Sequence, residues 1–283
     1  MISFLGTGLL GTGFVRALRR RGEAVQVWNR TPDKARALAA DGAVPCDDPA
    51  AAVRGASRIH LTLSDDAVVD EVLERARSGL APGAVVVDHS TTSPAGTAAR
   101  VARWTARGVP FQHAPVFMGP ANALEGTGLM LASGDRARFD ALAPALERMT
   151  GRLAWVGPQE ERAAGLKLIG NLFLVAMTTG LIDALGLAKG MGIPAGEAAA
   201  LFDLFNPGAL VPARMRRILA GDFDHPSWEL GMARKDTRLM LEAAGAGGVT
   251  LAAIPAIAAH MDRFLAEGDA HRDWTVMAKA LLR

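Results

Sequence analysis

The chain opens with a short apolar run, Ile2–Leu5, followed by Gly6-Thr7-Gly8-Leu9-Leu10-Gly11 and a helical pattern over 12–21. Nothing else in the sequence restricts the fold as strongly. In the order strand, G-x-G-x-x-G, helix, each glycine has its own task. The first permits a tight turn, the second lets the backbone approach a ligand, and the third lets helix and strand pack closely. Free N–H groups and the dipole at the helix start favour an anion. The arrangement predicts a dinucleotide whose pyrophosphate rests against Gly6, Gly8, Leu9, Leu10 and Gly11.

The first half of the chain repeats this alternation. Residues 24–28, 58–63, 84–88, 110–114, 129–132 and 153–156 read as strands, and a helix is expected over 136–149. Short β-rich runs interleaved with helices imply a mainly parallel sheet covered on both faces. Ligands of such sheets lie beyond the carboxyl ends of the strands. Leu63 and Ser64 after one strand, and Ser90 and Thr91 after the next, should therefore border the same crevice as the glycine loop. After Gly157-Pro158 the strand pattern stops, and the remainder reads as helices over about 160–191, 195–205, 210–220, 229–244, 252–267 and 274–282. The expected fold class is α/β: an N-terminal Rossmann-type, doubly wound, mainly parallel sheet at 1–158, then an all-α domain at 159–283.

At the end of the second strand an enzyme preferring NAD usually carries an acidic residue for the ribose 2′-hydroxyl. Here the run is Asn29-Arg30-Thr31-Pro32. A guanidinium can hold a 2′-phosphate bidentately and stack on adenine. Thr31 as N-cap and Pro32 at the first helical position open a helix beside it. Asn29, Arg30 and Thr31 are thus expected to bind the cofactor, NADP(H) in preference to NAD(H).

The longest apolar stretch, at 163–182, reads AAGLKLIGNLFLVAMTTGLI and carries one charge, Lys167. As a helix it would span roughly 30 Å, enough to cross a bilayer. The internal lysine, Asn171 and three glycines, in a chain with no comparable second stretch, favour instead the core helix of a soluble protein, buried on all sides. Lys167 and Asn171, four residues apart, project from one face, as a proton donor and a substrate clamp would.

Other bounds narrow the function. The 31 basic and 29 acidic residues leave a net charge of +2, which gives no electrostatic case for nucleic acid or a membrane surface. Cys46 is the only cysteine, so an internal disulfide is excluded and a reducing cytoplasm fits. Met1 leads directly into the first strand, so no targeting segment is expected. Tyrosine is absent, which excludes any mechanism with a tyrosine proton donor. No histidine has a partner at metal-ligand spacing, so no metal is expected. His89 and His113, at strand ends, are the two placed to border the crevice.

Taken together, the order of parts resembles the β-hydroxyacid dehydrogenases, relatives of 3-hydroxyisobutyrate dehydrogenase and of the glyoxylate and succinic semialdehyde reductases. FLGTGLLGTG at 4–13 is similar to that family's F-x-G-x-G-x-M-G opening, and DHSTTSP at 88–94 to its D-x-S-T-x-x-P segment, whose threonine, here Thr91, contacts the cofactor. GLKLIGN at 165–171 matches the G-x-K-x-x-x-N helix. Lys235-Asp236 matches a K-D pair whose lysine lies near the nicotinamide. The resemblance implies that Lys167 is the catalytic acid and base, that Asn171 binds a small-molecule substrate, and that copies pair through the helical domain as a homodimer or higher homo-oligomer. One segment departs. Where the family has D-A-P-V-S-G-G, this chain has His113-Ala114-Pro115-Val116-Phe117-Met118-Gly119, and Leu172 replaces the amide often found after Asn171. Ser90, Val116, Phe117, Met118 and Gly119 are the expected substrate-lining positions. With Phe117 and Met118 among them, an apolar aldehyde, ketone or imine fits as well as a small hydroxyacid or semialdehyde. The rival readings are an imine reductase or reductive aminase, whose members typically carry aspartate or tyrosine in place of Lys167, and a non-catalytic NADPH-binding module.

Overall fold

The computed structural model describes residues 1–282, and the chain divides into two compact units that part between Asn171 and Leu172. In the first, β1 (Ile2–Leu5), α1 (Leu9–Arg20), β2 (Val25–Trp28), α2 (Pro32–Arg36), β3 (Val44–Pro45), α3 (Pro49–Val53), β4 (Arg58–Leu61), α4 (Asp66–Ala76), β5 (Val85–Asp88), α5 (Pro94–Ala106) and β6 (Phe111–His113) follow one another. Their strands form a six-stranded sheet in the order β3-β2-β1-β4-β5-β6, parallel throughout. The order reverses at β1, which lies between β2 and β4. That reversal opens a crevice at the carboxyl ends of the strands.

Strands covered on both faces send successive side chains to opposite sides. Phe4, Val27 and Val87 join one core with Phe14, Val15 and Leu18 of α1. Leu5, Trp28 and Val86 join the other with Leu73 of α4 and Trp104 of α5. A smaller sheet follows, built from β7 (Val116–Phe117), β8 (Leu129–Ala132) and β9 (Arg152–Trp155), with α6 (Pro120–Glu125) and α7 (Arg136–Leu146) between its strands. β7 runs antiparallel to β8, pairing Phe117 with Leu129. The fold is the expected Rossmann-type one. The sequence reading passed over β3 and β7, each two residues long, because so short a run shows no alternation.

α8 (Arg162–Gly190) begins in the first unit and continues into the second, where α9 (Ala195–Leu204), α10 (Val211–Ala220), α11 (Leu230–Ala246) and α12 (Ile254–Ala266) follow. Asp183, buried on α8, accepts hydrogen bonds from the N–H groups of Ala252, Ala253 and Ile254 and so caps the start of α12. Trp274–Leu281 is a 3-10 helix rather than the expected α-helix. The expectation that the apolar stretch is buried on all sides is corrected: Leu172 is 70%, Val175 67% and Ile182 59% exposed. Its composition is that of a buried helix, but this chain alone does not supply the cover.

Candidate functional site

The glycine loop behaves as its spacing demands. Gly6 has φ +95°, and a Cβ there would lie 2.3 Å from the Thr62 carbonyl oxygen. A Cβ at Gly11 would lie 2.1 Å from the Gly6 carbonyl oxygen, so close chain approach requires both glycines. A Cβ at Gly8 would meet nothing within 4 Å. The open space there leaves room for a ligand, as a pyrophosphate seat requires. Gly8 is the N-cap of α1, which makes Leu9 and Leu10 its first helical residues. Leu9 is 82% exposed, whereas Leu10 packs on the core.

Seven of the expected cofactor residues converge. Gly6, Gly8, Asn29, Arg30, Thr31, Leu63 and Ser64 line one cavity of ≈ 180 Å³. Asn29 works there as a brace: its Oδ1 accepts the Thr7 N–H at 3.0 Å and its Nδ2 donates to the Thr31 carbonyl, which ties the glycine loop to the end of β2. Thr31 occupies the N-cap position of α2 with Pro32 behind it, but its hydroxyl makes no capping hydrogen bond. Lys34, passed over in the sequence, lines the same cavity as Arg30 and also a larger one of ≈ 470 Å³ beside Gly8, Leu9 and Thr12. Two cations at the end of β2 fit a phosphate better than a hydroxyl. The signal for Lys34 was its place one turn into a helix opened by Thr31-Pro32.

Beyond β4 and β5 the loops hold each other. The Ser90 hydroxyl accepts the Leu63 N–H at 2.9 Å, and Ser90 is itself buried. Thr91 is half-buried beside it, while Thr92 is buried and bonds to Thr97. Asp65 caps α4 by accepting the Val68 N–H. His89 and His113 do not border an open crevice: both are buried, and among the described residues the His89 ring bonds to His60 Nδ1 and to the Ala114 carbonyl.

The substrate-lining run splits by strand alternation. Val116 turns into the core, Met118 packs on that core, and the Gly119 N–H donates to Asn122 Oδ1 at the start of α6. Phe117 points the other way, and its ring meets α8. Lys167 Nζ stands 4.1 Å from the ring centroid. Lys167 is only 9% exposed, and burial lowers its pKa below the usual lysine value. Asn171, on the same face one turn later, is half-buried. On α11, Lys235 Nζ lies 2.9 Å from Asp236 Oδ1.

These parts, an open glycine loop with two cations beside it and a secluded lysine, fit a nicotinamide dinucleotide and a proton donor. Residues 1–157 match the NAD binding domain of 6-phosphogluconate dehydrogenase. The chain is 27% identical to 3-sulfolactaldehyde reductase of Escherichia coli (strain K12), over 98% of this chain and 94% of that protein. It is 31% identical to the cytokine-like nuclear factor N-PAC of Homo sapiens, over 85% of this chain and 44% of that protein. The fold is that of the imine reductase from Myxococcus stipitatus in complex with NADP+, with a TM-score of 0.93, 20% identity and 99% of each chain covered. The chain is therefore a nicotinamide-dependent oxidoreductase that belongs to the β-hydroxyacid dehydrogenase family, the family of 6-phosphogluconate and 3-hydroxyisobutyrate dehydrogenases.

Proposed function

We propose that the protein is an NADP(H)-dependent reductase of aldehydes or related carbonyl compounds, with Lys167 as its acid and base. The observation that carries this reading is a lysine almost withdrawn from water, without an acidic partner among the described residues, on the face of α8 that also presents Asn171. NADPH held at the glycine loop would supply the hydride. Lys167 gives its proton to the substrate oxygen in reduction and takes it back in oxidation. Burial disfavours its charged form and brings its proton affinity towards working pH, where transfer is efficient. Asn171 orients the reacting oxygen, Thr91 completes the cofactor cleft, and Phe117 provides an apolar wall.

The likeness to 3-sulfolactaldehyde reductase supports a semialdehyde or hydroxyacid substrate. Phe117, standing where small hydrogen-bond donors would cradle a carboxylate, supports a second reading: reduction of an uncharged carbonyl or a cyclic imine, in line with the imine reductase fold. Consumption of NADPH against carboxylated aldehydes, plain aldehydes and cyclic imines separates the two. Lys167→Ala should keep NADPH binding and lose about 10²- to 10⁴-fold in turnover, the usual worth of a positioned acid. A near-normal rate would remove Lys167 from the mechanism. The single cysteine suits a cytoplasmic enzyme, and the exposed apolar face of α8 suits a homodimer.

A further inference from the structure

Phe117 has a relation to Lys167 that a substrate wall does not require. The ring stands against α8, and a Cβ at Gly170 would come within 2.3 Å of its Cζ and 2.5 Å of its Cε1. Gly170 lies three residues after Lys167, so both are on one helix face. The helix therefore carries a glycine-floored notch filled by the ring, and the lysine ammonium folds over the ring face at 4.1 Å from its centroid. The pairing of β7 with β8 fixes Phe117 from behind. Gly128, with φ +85°, lets the chain pass so closely that a Cβ there would be 2.9 Å from the Phe117 carbonyl oxygen.

We infer that Phe117 is a positioning residue: its ring seats the Lys167 ammonium and holds it in the protonated form. An aromatic face attracts a cation, most strongly where water is scarce. Among the described residues no carboxylate, imidazole or second cation influences Lys167, and desolvation is the one cause that lowers its proton affinity. Desolvation and the ring thus act in opposite directions. A serine at position 117 would leave the ammonium unseated, whereas the ring fixes where the proton is delivered without a counter-ion to accept it. The consequence for catalysis rests on Lys167 being the acid, but the seat itself does not.

The chain has five lysines, so ¹⁵N NMR of lysine-labelled protein can follow Lys167 Nζ directly, assigned by the signal lost in Lys167→Ala. Phe117→Leu should move its titration midpoint down by about half to one pH unit, the size of a partly desolvated cation–π contact. Phe117→Tyr, which keeps the ring, should leave it in place. Gly170→Ala favours the helix yet displaces the ring, and should move the midpoint in the same direction as Phe117→Leu. A midpoint unmoved or raised in both Phe117→Leu and Gly170→Ala would overturn the inference. A midpoint that moves while Lys167→Ala keeps its turnover would leave the seat standing and remove only the acid assignment.

Discussion

On the proposed reading the choice of cofactor rests on Arg30 and Lys34. Both line one cavity, flanking the Thr31-Pro32 turn in sequence, and Asn29, which braces Thr7 and Thr31, brings no negative charge against a phosphate there. A 2′-phosphate gains a bidentate guanidinium and a point charge, each charge-assisted bond contributing about 1.5–3 kcal/mol. Arg30→Ala should therefore weaken NADPH about 10- to 100-fold while changing NADH only slightly. Lys34→Ala should act in the same direction and less strongly. Fluorescence titration of both cofactors checks this, and an equal loss for the two would remove the pair as the phosphate clamp. The place of Arg30 at this cavity was legible in the sequence because it follows a strand next to the position where an acidic residue otherwise stands. Lys34 was marked only by its place one turn into α2, whose five residues show no periodicity to set one face apart.

At the scale of elements, a chain of donors crosses the sheet from β4 past β5. Arg58 Nε donates to His60 Nε2 at 2.8 Å, His60 Nδ1 lies 2.9 Å from His89 Nε2, and His89 Nδ1 lies 2.7 Å from the Ala114 carbonyl oxygen. Only one set of tautomers satisfies all three contacts: both rings neutral, each with its proton on Nδ1. A further proton on either ring would set two donors face to face. Burial lowers the affinity of both histidines for a proton, and His89 titrates at about 4 against 6.5 when unburied. A folded value below the unfolded one means that stability is full above pH 6.5 and is lost as pH falls towards 4, by about 3 kcal/mol for this group. Urea unfolding at pH 7 and pH 4.5 should show that loss, and His89→Gln should flatten it; an unchanged slope would refute the role. The alternating elements of the first unit were readable because each strand is a continuous apolar run bounded by turn residues. The histidine chain was not, since His60 and His89 are 29 residues apart and meet only when β4 and β5 pair in register. Phe117 was recognised as out of place, but its fit to Gly170 depends on β7, which is too short to read.

For the whole molecule the unresolved demand is cover for α8. From Leu172 onward, Leu172, Phe173, Leu174 and Val175 are all exposed, and four consecutive residues go right round a helix. Monomeric proteins rarely expose apolar patches beyond a few hundred Å², and this stretch continues through Met177, Leu181, Ile182 and Leu185. By length and composition α8 could cross a membrane. Asp183, however, sits within that length and caps α12 with its carboxylate, a task that fits aqueous surroundings better than lipid. A second copy wrapping the helix with several of its own elements would bury every face at once, whereas contact with a single flat surface would leave half of it wet. Such a dimer has no stable separate monomer, so its melting temperature should rise with protein concentration. Sedimentation should give a dimer down to nanomolar concentration, and Val175→Asp, which puts a charge at the centre of the apolar face, should lose dimer and helical signal together. A well-folded monomer at micromolar concentration would exclude the self-wrapped helix, and binding of the protein to lipid vesicles would return the membrane as its cover.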